Sequence, residues 1–229
     1  MIISVIIPTF NEEKTIVEIL KKVKKQNKGE TNLEVIVIDD CSTDNSNELL
    51  KQNSNLYTKL IVLNQHLGKG GAVKEGLLNA TGEYVIFQDA DLEYDPKDFK
   101  KIFKVINTFK PDLIIGSRFL SPEYTVINYF FHKIGNKIIT SLFNLLYNST
   151  FTDIYSCYLC YKRELVNPSL LKSMGWSQQA EILGTIVKSS SVHYEVPISY
   201  SGRSFEDGKK IKARHTLGVV WMIIKKRLF

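Results

Sequence analysis

The sequence predicts an α/β fold with a mostly parallel, doubly wound central sheet flanked by helices. Three observations carry that prediction. The apolar, largely β-branched runs Ile2-Ile3-Ser4-Val5-Ile6-Ile7 and Leu33-Glu34-Val35-Ile36-Val37-Ile38 suit strands buried on both faces of a sheet. Between them Ile16, Ile19, Leu20 and Val23 recur at helical spacing. The two patterns alternate through the first half of the chain, and a βαβα order favours parallel pairing through crossover helices.

Each element follows from local signals. The strand over 2–7 leads to a helix with a polar start at Asn11. The strand over 33–38 is followed by a helix that opens near Ser42-Thr43-Asp44 and carries Leu49 and Leu50. Next come a strand at 60–63, a helix at 71–79 and the strand 83–87. Asp95-Pro96 starts a helix that continues through Phe99, Ile102, Phe103 and Ile106. Leu113-Ile114-Ile115 reads as a further strand. Beyond it the pattern is less regular. Ile127, Phe131, Ile134, Ile138, Leu142 and Leu145 form a long helical stripe, 153–161 reads as a strand, and 179–188 as a helix. The polar, glycine-containing stretch 200–209 reads as a mobile loop. Leu217, Val220, Trp221, Ile224 and Leu228 share one face of a final helix that carries Lys225-Lys226-Arg227. No linker or repeat appears, so one domain is expected over 1–229, with a ligand-binding half at 1–120 and a second half at 121–229.

The chain has 229 residues, 44% hydrophobic and 24% charged, enough for one domain with a substantial core. Its net charge of +6 admits nucleic acid, anionic lipid or phosphorylated small molecules as partners. The charge is uneven: residues 209–229 hold Lys209, Lys210, Lys212, Arg214, Lys225, Lys226 and Arg227 and no acidic residue. That cluster is interleaved with an apolar stripe and no nucleic-acid recognition motif accompanies it, so nucleic acid is not an expected partner. The three cysteines, Cys41, Cys157 and Cys160, and a first strand with no export signal before it point to a reducing, cytoplasmic compartment. No apolar run approaches the ~20 residues of a membrane span. Cys157-Tyr158-Leu159-Cys160 is a lone CxxC without a second pair or a nearby histidine, a poor zinc site.

The chemistry concentrates where predicted strands end. Asp89-Ala90-Asp91 follows Tyr84-Val85-Ile86-Phe87 and continues as Leu92-Glu93. Two carboxylates two residues apart suit Mg²⁺ or Mn²⁺, hard cations that complete their shell with water and substrate phosphates. Pro8-Thr9-Phe10-Asn11-Glu12, Asp39-Asp40-Cys41-Ser42-Thr43-Asp44 and Gly116-Ser117-Arg118 also follow strands. In one parallel sheet all four would converge on a single edge, where such folds bind ligands. Gly68-Lys69-Gly70-Gly71 precedes a helix whose backbone amides could face a phosphate, with Lys69 as a diphosphate contact. It lacks P-loop spacing. Arg118 offers the bidentate geometry of a phosphate clamp. His132, Lys133 and Lys137 add basic groups on the following helix.

In this order, with Gly68-Lys69-Gly70 between the second and third, these motifs resemble glycosyltransferase family two, which has the GT-A fold. The nearest branch is the dolichyl-phosphate (polyprenyl-phosphate) mannose and glucose synthases. The resemblance covers residues 2–165 and continues more weakly through Glu181 and the Gly202-Arg203 to Lys210 loop. It implies transfer of a hexose from a nucleoside-diphosphate sugar, GDP-mannose or UDP-glucose in type, to a polyprenyl phosphate. By this likeness Asp91 holds the metal with Asp89 and Glu93, and Asp39, with Asp40 beside it, meets the base or ribose. Pro8, Phe10 and Glu12 frame the nucleotide and Ala90 lies against it. Arg203, Lys209 and Lys210 close over the diphosphate. Where the family often has Asp-x-x-Ser-Gly-(Phe/Tyr)-Arg, this chain keeps Asp153, Ser156 and Tyr158 but has Cys157 for Gly and Leu159 for Arg.

Glu181 stands where many members have a carboxylate. It is a general base if the acceptor is a sugar hydroxyl, and only a hydrogen-bonding group if the acceptor is an already ionised phosphate. Three functions therefore stand: transfer to a lipid phosphate, transfer to a saccharide hydroxyl, and noncatalytic sugar-nucleotide binding. A lipid acceptor would bring peripheral contact with the cytoplasmic membrane face, made by the basic final helix. The oligomeric state is not legible.

Overall fold

The computed structural model describes residues 1–27, 31–120, 130–202 and 215–229. The described strands are β1 (Ile2–Thr9), β2 (Asn32–Asp39), β3 (Lys59–Val62), β4 (Tyr84–Phe87), β5 (Leu113–Ser117), β6 (Leu159–Lys162) and β7 (His193–Pro197). They form one sheet in the order β3-β2-β1-β4-β6-β5-β7. β6 runs antiparallel to β4 and β5, and every other pairing is parallel. The helices are α1 (Ile16–Lys24), α2 (Ser46–Gln52), α3 (Gly68–Leu78), α4 (Phe99–Phe109), α5 (Phe130–Tyr147), α6 (Gln178–Ser189) and α7 (His215–Leu228).

The apolar runs do what their composition dictates. Ile3, Val5, Ile6 and Ile7 of β1 and Ile36, Val37 and Ile38 of β2 are fully buried, as central parallel strands require. Ile16, Ile19, Leu20 and Val23 bury one face of α1, and Phe99, Ile102, Phe103 and Ile106 do so for α4. The geometry then sets the site. β1, β2, β4 and β5 all finish on one edge of the sheet, at Thr9, Asp39, Phe87 and Ser117. Because β6 runs the other way, the segment leading into it, residues 153–158, arrives at that same edge.

Several expectations change. The strand expected over 153–161 is confined to Leu159–Lys162. Residues 153–158 turn instead, because the Asp153 carboxylate is bound by Arg118 and the Leu159 amide folds back onto the Cys157 carbonyl. β7 was not legible: it is a short edge strand in which only Val196 is fully buried, so it carries no apolar run. The stripes assigned to α5 and α7 also point the other way. α5 buries Ile139, Phe143 and Tyr147, and α7 buries Val219 and Ile223, with the Tyr147 hydroxyl donating to the Ile223 carbonyl. From the expected stripes Ile138 (62%), Leu145 (81%), Leu217 (77%) and Trp221 (62%) are exposed. Each helix thus has a second apolar face. Ile127 and the greater part of the expected 200–209 loop lie outside the described residues.

Candidate functional site

The loops after β1 and β2 are stitched into one surface. The Asn11 amide donates to Ser42 Oγ (3.0 Å), the Thr43 amide to Asn11 Oδ1 (2.8 Å) and the Glu12 amide to Ser46 Oγ (2.8 Å). Asn11, Cys41 and Leu92, one in each turn after β1, β2 and β4, adopt positive φ of 52°, 63° and 65°. Outside glycine such backbone is uncommon, costs energy and clusters at functional sites. Asp39, at the tip of β2, is buried, with Oδ1 accepting from the Ser42 amide (3.1 Å) and Oδ2 from Asn47 Nδ2 (2.7 Å). Pro8 and Phe10 lie half-buried beside it. Phe10 lies against His66, ring centres 4.1 Å apart and planes tilted by 32°. The Glu12 carboxylate accepts from the Thr15 hydroxyl at the entrance to α1 (3.1 Å), so one of its oxygens serves the turn.

Asp40 and the glycines differ from expectation. Asp40 accepts from the Leu67 amide (2.7 Å) and the Gly68 amide (2.9 Å) and pairs with His66 Nδ1 (2.9 Å). Its carboxylate is therefore the anion at the start of α3, filling the place a phosphate would take. The glycines permit close packing instead. The Gly71 amide donates to the Met174 carbonyl, and a Cβ on Gly70 would meet Ser173 O at 2.3 Å and Met174 C at 2.7 Å. Those neighbours are backbone, so Gly70→Ala must displace the 173–175 segment. An overpacking cost of about 1–3 kcal/mol is expected, read as a lower thermal midpoint at neutral pH.

Lys69 comes off this fixed helix start, and its Nζ lies 2.6 Å from Asp89 Oδ1 and 5.3 Å from the centre of the Trp176 ring. Burial disfavours the ammonium, but the surrounding groups, Asp89 foremost and Asp91 among them, together outweigh it and hold the Lys69 pKa above its ordinary value. Ala90 is buried between the two aspartates. Burial, and then the charges of Asp89 and Glu93, push the Asp91 carboxyl up to about 7. Two hard carboxylates that repel one another in a partly desolvated turn fit a divalent cation, which removes that repulsion. Glu93 does not group with Asp89 and Asp91 as a third ligand among the described residues, and its Oε2 accepts from the Tyr200 hydroxyl at 2.9 Å. Among the described residues no three His, Cys, Asp or Glu side chains form a group that could hold a metal. Asp89 and Asp91 would hold it with water and substrate phosphate completing the shell, the usual arrangement for Mg²⁺. Cys157, standing where the family often has Gly, is buried, and burial followed by the charge of Asp89 keeps it a protonated thiol.

Arg118 is also differently engaged. Nε donates to Asp153 Oδ2 (2.7 Å), and Nη2 donates to Oδ1 (2.8 Å) and to the Tyr155 carbonyl (3.2 Å). One edge of its fork is thus filled by the protein, and among the described residues Nη1 has no hydrogen-bond partner. The 152–153 turn is in turn held by Glu195 on β7, which accepts from the Thr152 amide (2.9 Å). The largest correction concerns Glu181. It is 2% exposed, and its oxygens accept from the Lys172 amide (3.1 Å) and the Ser173 amide (2.8 Å). It anchors the segment that packs on the α3 glycines and is not presented as a general base. Arg203 and Lys209, with Lys210, lie outside the described residues, as does the His132 side chain. His66, Trp176, Glu195 and Tyr200 were not singled out in the sequence. Each joins the site only through contacts made by the fold.

A central sheet of this order, with acidic turns after its second and fourth strands on one edge, is the GT-A architecture of nucleotide-diphospho-sugar transferases. The family model for glycosyl transferase family 2 matches residues 4–168, and the chain belongs to that family. Among curated relatives it is 27% identical over 212 residues to the undecaprenyl-phosphate 4-deoxy-4-formamido-L-arabinose transferase of Proteus mirabilis, covering 90% of this chain and 62% of the relative. It is 30% identical over 216 residues to the dolichol-phosphate mannosyltransferase of Pyrococcus furiosus, covering 92% and 61%. The chain thus spans about six-tenths of the length of these relatives. Glucosyl-3-phosphoglycerate synthase from Mycobacterium tuberculosis, solved with Mn²⁺, uridine diphosphate and phosphoglyceric acid, superposes with TM-score 0.73 at 19% identity, over 98% of this chain and 78% of that one. S. aureus TarS, solved with UDP-GlcNAc, gives TM-score 0.66 at 20% identity, over 99% and 66%. These likenesses establish the fold.

Proposed function

We propose that the chain transfers a hexose from a nucleoside-diphosphate sugar, of the GDP-mannose or UDP-glucose type, to a polyprenyl phosphate, with inversion. The observation that carries this is the pair Asp89 and Asp91 at the end of β4, beside Lys69 and on the same sheet edge as Asp39. A nucleoside diphosphate leaves as an anion, and Mg²⁺ or Mn²⁺ on these carboxylates supplies Lewis-acid stabilisation of that charge. Asp39 holds the base or ribose, Phe10 and Pro8 wall the pocket, and Lys69 meets the diphosphate. Arg118, fixed by Asp153, turns Nη1 to a phosphate. An acceptor phosphate oxygen attacks the anomeric carbon as the bond to the diphosphate oxygen breaks.

The acceptor follows from Glu181. A sugar hydroxyl must lose a proton as it attacks, whereas a phosphate is already ionised. With Glu181 closed off by backbone amides, the expected base for a hydroxyl is not at hand, which favours the phosphate. The relatives named for undecaprenyl phosphate and dolichol phosphate support the same choice. Release of GDP or UDP is expected only when a matching donor, a polyprenyl phosphate and Mn²⁺ are all present. Equal release with a soluble saccharide in place of the lipid would overturn the acceptor assignment.

A lipid acceptor requires contact with a membrane, and no helix among the described residues is long and apolar enough to cross one. The outward faces of α5 and α7 suit the bilayer surface: Ile138, Leu145, Leu217 and Trp221 are exposed, with Lys133, Lys137 and Arg227 beside them, and neither helix contains an acidic residue. Apolar insertion with cationic attraction is the interfacial mode of binding. Binding to vesicles containing anionic lipid is expected. Trp221→Ser combined with Leu217→Ser should weaken it several-fold while leaving the circular dichroism spectrum intact.

A further inference from the structure

Lys69 and a divalent cation compete for one oxygen. The Lys69 ammonium sits 2.6 Å from Asp89 Oδ1, a salt-bridging distance, in a site where both side chains are only 20% exposed. Its helix start is fixed by Asp40 and by the Met174 carbonyl, so the ammonium reaches Asp89 from a rigid base. An aromatic face, Trp176, also lies against it and attracts a cation without neutralising it. A cation arriving at Asp89 brings two positive charges up against a third. At such separations that repulsion is substantial in a partly desolvated site.

We propose that Lys69 is a built-in competitor for the metal. It balances Asp89 before the metal arrives and is displaced from it on metal binding. The displaced ammonium stays against Trp176 until the diphosphate provides a new anionic partner. This rests on the metal reading above and extends it to the order of assembly. Metal alone binds weakly, because displacing Lys69 strands its charge. Nucleoside diphosphate restores the balance, so metal and nucleotide each tighten the other by the same factor. The site then fills with metal and nucleotide together.

The test is direct Mn²⁺ binding, followed by the electron paramagnetic resonance of free Mn²⁺, with and without UDP. Lys69→Met should bind Mn²⁺ alone about tenfold more tightly than wild type, and the tightening by UDP should fall by about the same factor. Lys69→Arg, which keeps the charge, should stay close to wild type. Mn²⁺ affinity in Lys69→Met equal to or below wild type overturns the proposal and leaves the metal site standing. No Mn²⁺ binding by either protein, with or without UDP, removes the metal reading and this proposal with it. A second readout does not depend on how Lys69→Met folds. The chain has two tryptophans, Trp176 and Trp221, so Trp221→Phe isolates Trp176. A saturable change in its fluorescence on addition of Mg²⁺, which is diamagnetic and does not itself quench, is expected as the ammonium moves. Fluorescence unchanged at Mg²⁺ concentrations that saturate the site overturns the displacement.

Discussion

Asp91→Asn is expected to abolish metal-dependent turnover while the fold survives. The substitution is nearly isosteric and removes the charge on which the metal depends. Losing about 3–4 kcal/mol of transition-state charge stabilisation corresponds to about 10²–10³-fold in kcat. Stability should move in the opposite direction. With no cation bound, burial and the neighbouring charges of Asp89 and Glu93 hold the Asp91 carboxyl up at about 7, above its ordinary 3.8. The folded state therefore binds the extra proton, and this group makes stability fall as pH rises from about 4 through about 7. Metal-free wild type should show a lower melting temperature at pH 8 than at pH 5, and Asp91→Asn should flatten that difference. Added Mn²⁺ should stabilise wild type most at pH 8, because the metal binds the deprotonated ligand. Normal turnover by Asp91→Asn, or a metal response without pH dependence, would remove Asp91 from the metal site.

Asp153→Ala is expected to give the largest loss of stability. The Asp153 side chain is fully buried and that of Arg118 is 12% exposed, and they share two charge-assisted hydrogen bonds. Removing one partner of such a pair strands a buried charge and costs about 3–5 kcal/mol. For a chain of this size that is a fall of roughly 6–20 °C in melting temperature. The double variant Arg118→Met with Asp153→Ala should recover a sizeable part, because the stranded charge is gone. Urea unfolding of the four proteins of this cycle measures the coupling. A shift below about 2 °C for Asp153→Ala would show that the pair is not what holds the 153–158 turn.

Asp89 and Asp91 were legible as a hard-oxygen pair because both the strand before them and their spacing are local facts of the chain. The parallel sheet was legible for the same reason: β1 and β2 are near-continuous apolar runs, and α1 and α4 carry their buried residues at helical spacing. The family followed from the order of these local motifs. β7, with a single fully buried residue at the sheet edge, left no such trace.

What each polar group does was a matter for the tertiary structure. Arg118 reads as a bidentate phosphate clamp until the reversed strand β6 brings Asp153 beside it and takes the Nε and Nη2 edge. Glu181 reads as a base until the turn at 172–173 closes over it, and Glu93 reads as a third metal ligand until the fold turns it to Tyr200 and leaves no three-residue group among the described residues. The α3 glycines read as a phosphate cradle until Asp40 caps the helix and the 173–175 backbone packs on them. By itself the sequence determined the parallel strands β1 to β5, the edge on which the acidic turns gather and the carboxylate pair, since periodicity and spacing are properties of neighbours along the chain. Only the tertiary structure decided which charges stay available, because a charged group's partner is whatever the fold sets within about 3 Å of it, and here Asp153, Tyr200 and the 172–173 amides are brought there from distant stretches of the chain.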